Sequence, residues 1–142
     1  MGQQQLLLII LGVIIAGLAV VIGIQLFTVN ERVAQIEIMV TEGTSFATLA
    51  QQYYKKPATI GGGGSSFTGW EFPRAYPVIS TDGQSCSTAV ADYEADYSNP
   101  NKLVINAMNW DYQTSFPGSI NIMFTITPTD IHTQISAAGG PW

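Results

Sequence analysis

Charge is scarce in this 142-residue chain: Lys and Arg number 5 and Asp and Glu 10, together 11% of the sequence, with a formal net charge of -5. That is too little charge for a typical soluble domain. Lys55, Lys56, Arg74 and Lys102 are scattered, so no basic patch exists for a nucleic-acid backbone and no nucleic-acid partner is expected. The single cysteine, Cys86, excludes an intramolecular disulfide and is expected to be a small buried hydrophobe. The single histidine, His132, has no Cys or His near it in sequence, which excludes a local zinc motif, and there is no CxxCH for haem attachment. Cys86 with His132 is a weak nucleophile–base pair that needs proximity in the fold. Nucleophile, base and orienting acid do not cluster along the chain, so no catalytic residue, no cofactor and no enzyme activity are expected. Asn30, Asn99, Asn101, Asn106, Asn109 and Asn121 all fall outside N-glycosylation sequons.

What the chain does have is a long apolar run at its start. Leu6 to Phe27 is interrupted only by Gln25, and a helix of those residues is roughly 33 Å long at about 1.5 Å per residue, enough to cross a bilayer core. It is too long for a signal-peptide core, and no lysine or arginine precedes it. Gly12, Ala16, Ala19 and Gly23 recur at spacings of four, three and four, which places small residues in one narrow stripe where neighbouring helices can approach closely. Beyond it, Leu26, Val29, Val33, Ile36 and Val40 continue at three- and four-residue spacing among Asn30, Glu31, Arg32, Gln35 and Glu37, so the helix becomes amphipathic. The pattern resumes after Gly43 at Phe46, Leu49, Ala50, Tyr53 and Tyr54 and stops before Pro57. One helix of about fifty residues is expected, bent or loosened near Gly43, with Val29, Val33, Ile36, Val40, Leu49 and Tyr53 mostly buried, the earlier ones between copies of the chain and the later ones under its own sheet.

A short start, a glycine, an uninterrupted apolar helix, an amphipathic continuation and a small strand-rich head resemble the type IV pilin and pseudopilin superfamily. Residues 2–54 carry most of that resemblance, and "QQYYKKP" followed by "GGGGSSFTGW" is similar to bacterial pilin-like proteins. The resemblance implies leader cleavage after a glycine, for which Gly2 is the candidate, and helices that bundle into a filament core. It implies a homo-oligomer of many copies, held in the inner membrane before assembly and displayed at the cell surface afterwards. Leu7 stands where typical bacterial pilins carry an early glutamate, and no acidic residue precedes Glu31. Gln3, Gln4 and Gln5 are the candidate substitutes, since their amides satisfy one another or free helix-end N–H groups without burying a charge.

The remaining chain holds one small domain. Pro57 ends the helix, and Gly61–Gly64 are expected to form a tight ordered loop because Phe67, Trp70 and Phe72 follow directly and require burial. No Lys-Ser or Lys-Thr follows, which excludes a phosphate-binding loop. "YPVIST" before the turn at Asp82-Gly83, then "TAVADYEADY", "KLVINAMNW" and "INIMFTITP" read as strands, with turns at Asn99-Pro100-Asn101 and Pro117-Gly118. The expected fold class is therefore α+β: a long N-terminal helix, apolar then amphipathic, packed against an antiparallel β-meander of about four strands. Its parts are a hydrophobic helix (1–28), an amphipathic continuation (29–56), and a glycine-rich loop with a β-rich head (57–142).

Asp92, Glu94 and Asp96 project from one side of a predicted strand about 7 Å apart. They are a weak candidate calcium face, against the plainer reading of a solvated acidic surface; no other metal site is expected. The 6 Tyr, 6 Phe and 3 Trp are read as core and interface packing rather than a path for electrons. The function expected from all this is a structural subunit of an extracellular filament. The alternatives are a pseudopilin-like component of a secretion or DNA-uptake machine and a single-pass membrane-anchored binding module.

Overall fold

The computed structural model describes residues 2–75, 83–109 and 120–137. The chain divides into two compact units, residues 1–35 and 36–142. One helix, α1 (Gly2–Lys55), runs through the sequence of both, and a single-turn 3-10 helix follows at Ala58–Ile60. Among the described residues the second unit also has five strands: β1 (Ser85–Ser87), β2 (Asp92–Asn99), β3 (Lys102–Asn109), β4 (Ile120–Ile126) and β5 (Ile131–Ala137). They form an antiparallel sheet in the order β1-β2-β3-β4-β5, a meander in which each strand pairs with its neighbour in sequence. This is the α+β arrangement that the sequence predicts.

The meander is set by period-two patterning. Along β2, β3 and β4, alternate residues are buried, and the register aligns them into rows: Cys86, Tyr93, Ala107, Ile122 and Ile135 make one row, and Ala95, Ile105, Phe124 and Thr133 the next. The opposite face carries Glu94, Asn106, Met123 and Gln134 in one row and Asp96, Val104, Thr125 and His132 in another. A one-residue slip would exchange the two sets, so the apolar rows fix the register.

The helix residues that complete this core are Met39, Gly43, Phe46, Ala47 and Ala50, spaced four, three, one and three apart, as one helical face requires. Ile36, Val40, Tyr53 and Tyr54 pack at its margin. Phe46 meets Phe72 and Tyr93 edge-on, with ring centroids 5.1 and 5.0 Å apart, and Trp70 meets Phe72 at 4.8 Å. Full burial of one such aromatic side chain contributes about 1.5–3 kcal/mol.

Several expectations change here. Leu49, expected to be buried under the sheet, is 40% exposed; Val29 and Val33, expected to be buried between copies of the chain, are 58% and 45% exposed in one copy. The buried face lies beside the aliphatic stripe, where Met39 and Ala47 point, because small residues let the sheet approach. Gly43 is not a weak point: α1 continues through it, and it is buried against the Phe124 ring. The sheet has two strands that were not expected. β1 is only three residues long, and β5 mixes Ile131 and Ile135 with polar residues. "YPVIST" and Pro117-Gly118 lie outside the described residues.

The four-glycine segment is ordered and caps α1. N–H groups of Gly63, Gly64 and Ser65 donate to the carbonyls of Tyr53, Lys56 and Tyr54 at 2.8, 3.0 and 3.0 Å, which satisfies acceptors that a helix end otherwise leaves open. Glycine is required at Gly63, where a Cβ would lie 1.8 Å from the Ser66 carbonyl oxygen, and at Gly61, whose φ is +79°.

Candidate assembly segment and the helix–sheet junction

Residues 2–34 of α1 are exposed throughout, with only Gly23 in an intermediate environment. α1 is long and apolar enough to cross a membrane, and none of its most apolar stretch is buried within the chain. A run of Leu, Ile and Val with no cover from its own chain is stable only when lipid or other helices enclose it. At 100° per residue, Gly12, Ala16, Ala19 and Gly23 fall within an arc of about 60°. A Cβ added at Gly12 or Gly23 would meet nothing within 4 Å; the space beside the stripe is open to a neighbour.

Gly2 is the first residue of α1, and Gln3, Gln4 and Gln5 occupy its exposed first turns, which contain no acidic residue. The N-terminal N–H groups of a helix have no partners within it, and an amide is the neutral group that can supply one. Further along, hydroxyls of Thr41, Thr44, Ser45 and Thr48 donate to the carbonyls of Glu37, Val40, Thr41 and Thr44 at 2.7–3.0 Å. These exposed hydroxyls are thereby satisfied without water.

Within the second unit, Glu42 is the polar link between α1 and the sheet. Its Oε2 accepts from Tyr93 OH at 2.9 Å and from Thr88 Oγ1 at 3.0 Å. Gln51 Nε2 donates to the Thr127 carbonyl at 3.0 Å and so ties α1 to the β4–β5 turn. Neither contact is legible in local sequence: each pairs residues 46 or more positions apart.

The chemistry-bearing residues do not converge. Cys86 is buried on β1, and its thiol is pushed up to about 12, chiefly by burial and then by the charges of Glu42 and Asp92. His132 is exposed on β5, 3.5 Å from the Asp130 carboxylate. β1 and β5 are opposite edges of the sheet, so Cys86 and His132 are not a pair. Asp92, Glu94 and Asp96 do share the exposed face of β2. Asp92 accepts from the Ser87 hydroxyl at 2.5 Å, and Asp96 accepts from the Ser98 hydroxyl and, at 3.0 Å, from its N–H. Those bonds, with nearby Lys102, hold the Asp96 carboxyl below the usual carboxylate range. Among the described residues, no group of three His, Cys, Asp or Glu side chains is placed to hold a metal ion. A shallow depression of about 480 Å³ beside the β1–β2 turn is lined by Ser87, Thr88, Val90, Asp92 and Met108 among others.

Comparison with family models, with curated proteins and with solved structures gives no match. The features that define a class are therefore those of the chain itself: one long apolar N-terminal helix followed by an antiparallel sheet, compatible with a pilin-like architecture.

Proposed function

We propose that this protein is the structural subunit of a type IV pilus-like filament, polymerising through the N-terminal half of α1. The observation that carries this reading is that apolar exposure does not stop where a membrane span would. Val29, Val33 and Ile38, the last 44% exposed, lie past Phe27 and among Glu31, Arg32 and Glu37. A simple anchor would leave these aliphatic side chains in water, whereas neighbouring α1 helices would cover them. The stripe of Gly12, Ala16, Ala19 and Gly23 supplies the close approach such packing needs.

On this reading the precursor waits in the membrane with α1 embedded, and the mature subunit sits in a filament outside the cell with its head facing solvent. Electron microscopy of the native cell surface and of the purified full-length chain tests it. Filaments with helical symmetry are expected, and Gly12→Leu or Gly23→Leu is expected to abolish them while the head stays folded. Full-length chains that remain dispersed in detergent, together with a bare cell surface, would leave the anchored-module reading in its place.

A further inference from the structure

The first unit, residues 1–35, distributes its charge unevenly. From Gly2 to Asn30 it has no ionisable side chain, and Glu31 and Arg32 are the first to appear. Gln3 follows Gly2 directly, and both are exposed at the start of α1. Cleavage after Gly2 leaves one charge in this stretch, the ammonium group of Gln3. Its nearest carboxylate in the same helix, Glu31, lies about 42 Å further along α1 at about 1.5 Å per residue.

The copies packed beside it supply no carboxylate either. Subunits of a polar filament are displaced along its axis, so Gln3 of one copy lies against the apolar run of another. A copy whose Glu31 reached that Gln3 would be displaced by about 42 Å, more than the roughly 33 Å from Leu6 to Phe27. Its apolar run would no longer lie alongside the first, and contact along Gly12, Ala16, Ala19 and Gly23 would be lost. An ammonium enclosed by close-packed copies is therefore unpaired, and an unpaired buried charge costs far more than a buried amide.

Resting on the filament reading above, we propose that Gln3, once cleavage after Gly2 makes it the first residue, is converted to pyroglutamate. Its amine nitrogen attacks Cδ of its own side chain. The N–Cδ bond forms as the Cδ–Nε2 bond breaks, and Nε2 leaves as ammonia, taking a proton from the amine. No oxidant, reductant or second substrate is consumed. The ammonium becomes a neutral lactam, and the start of α1 then carries only uncharged amides, those of the lactam, Gln4 and Gln5. Gln4 and Gln5 cannot react in this way, because their backbone nitrogens are held in peptide bonds. Asparagine cannot replace Gln3, because its shorter side chain would close a strained four-atom ring.

Mass spectrometry of the N-terminal peptide of the native full-length chain tests this, with amines labelled before digestion so that cyclisation during handling is not counted. The expected peptide begins at residue 3, is lighter than its encoded mass by one ammonia and carries no label. A peptide that begins at residue 3 with a free or methylated amine would overturn the proposal and leave the filament reading standing. One that begins at any other residue would overturn the proposal together with its cleavage site, and electron microscopy of the same cells judges the filament separately. Gln3→Asn, with cleavage after Gly2 checked in the same way, keeps an amide but also keeps the ammonium. Its filament yield at pH 6 is expected to be about tenfold below wild type and to recover as pH rises past the α-amino range of about 7.7–8.0. Glu31 and Arg32, the nearest ionisable side chains, are common to both chains and keep their charges across that range. Equal yields at pH 6 would show that the charge need not be removed and would overturn the proposal.

Discussion

An ideal Cβ at Gly43 would lie 2.2 Å from the ring of Phe124. α1 and β4 thus meet with a glycine under an aromatic ring, and the depth of the helix on the sheet is set by that contact.

Gly43→Ala is therefore expected to destabilise the head. Alanine favours a helix over glycine by about 1 kcal/mol, but a methyl group forced into a filled core costs about 1–3 kcal/mol. Phe124 is fully buried in β4 and has no room to retreat, so overpacking prevails. Denaturant unfolding of the full-length chain, followed by tryptophan fluorescence, measures the sign. A more stable Gly43→Ala would mean that the ring yields freely.

Tyr93→Phe removes the hydroxyl that donates to Glu42. A hydrogen bond to a charged group is worth about 1.5–3 kcal/mol, and Thr88 still donates to the same oxygen, so the lower end is expected. In a double-mutant cycle with Glu42→Gln, a coupling energy near zero would show that the two side chains act independently.

Cys86 gives a pH dependence with a definite sign. Its thiol is raised from 9.0 to about 12, so between those values the unfolded chain has lost a proton that the folded chain retains. Stability falls as pH rises through that window, and below pH 9 the group contributes nothing to the slope. The difference in stability between wild type and Cys86→Ala, followed from pH 8 to 11, isolates this effect from the tyrosines and lysines. The folded thiol is also expected to resist a soluble disulfide reagent at pH 8 until the head is unfolded.

The glutamines at the start of α1 yield a prediction about salt. Burying an unpaired carboxylate costs several kcal/mol, and a buried amide costs less and finds partners among other amides and backbone groups. Assembly that docks through Gln3, Gln4 and Gln5 is expected to vary little with ionic strength, and the triple Gln→Leu variant to form few filaments. Filament yield by sedimentation measures both. Normal yield from the triple variant would remove the docking role, and a steep salt dependence in wild type would point to ion pairs, such as Glu31 with Arg32 of a neighbour.

The long helix and the meander were legible because each rests on a period that repeats over many residues, as in Leu6 to Phe27 and in β3 and β4. Gly43 was not, because a glycine inside a helix reads the same whether it loosens the chain or admits a neighbour. Only the position of Phe124, 81 residues further on, decides between them. Leu49 was misplaced for a related reason. Its spacing fits the aliphatic stripe, but the sheet lies over Ala47 and Ala50 instead, and no local pattern reports which face the far end of the chain will cover. The glycine loop was legible as ordered from the aromatic residues behind it, while its capping of Tyr53, Tyr54 and Lys56 was not. β5 was missed because Ile131 and Ile135 are separated by His132, Thr133 and Gln134, and an edge strand covered on one side carries half the usual signal.

The cap that Gly63, Gly64 and Ser65 place on the last carbonyls of α1 has a mechanical meaning. A load drawn along α1 toward its N-terminus cannot unwind the helix from its other end without first breaking those bonds. The same load acts on the layer of Met39, Phe46, Ala47 and Ala50 in shear, so these contacts must yield together rather than one after another. Within residues 36–142, the helix and the sheet are thereby joined by contacts that share a load rather than taking it in turn.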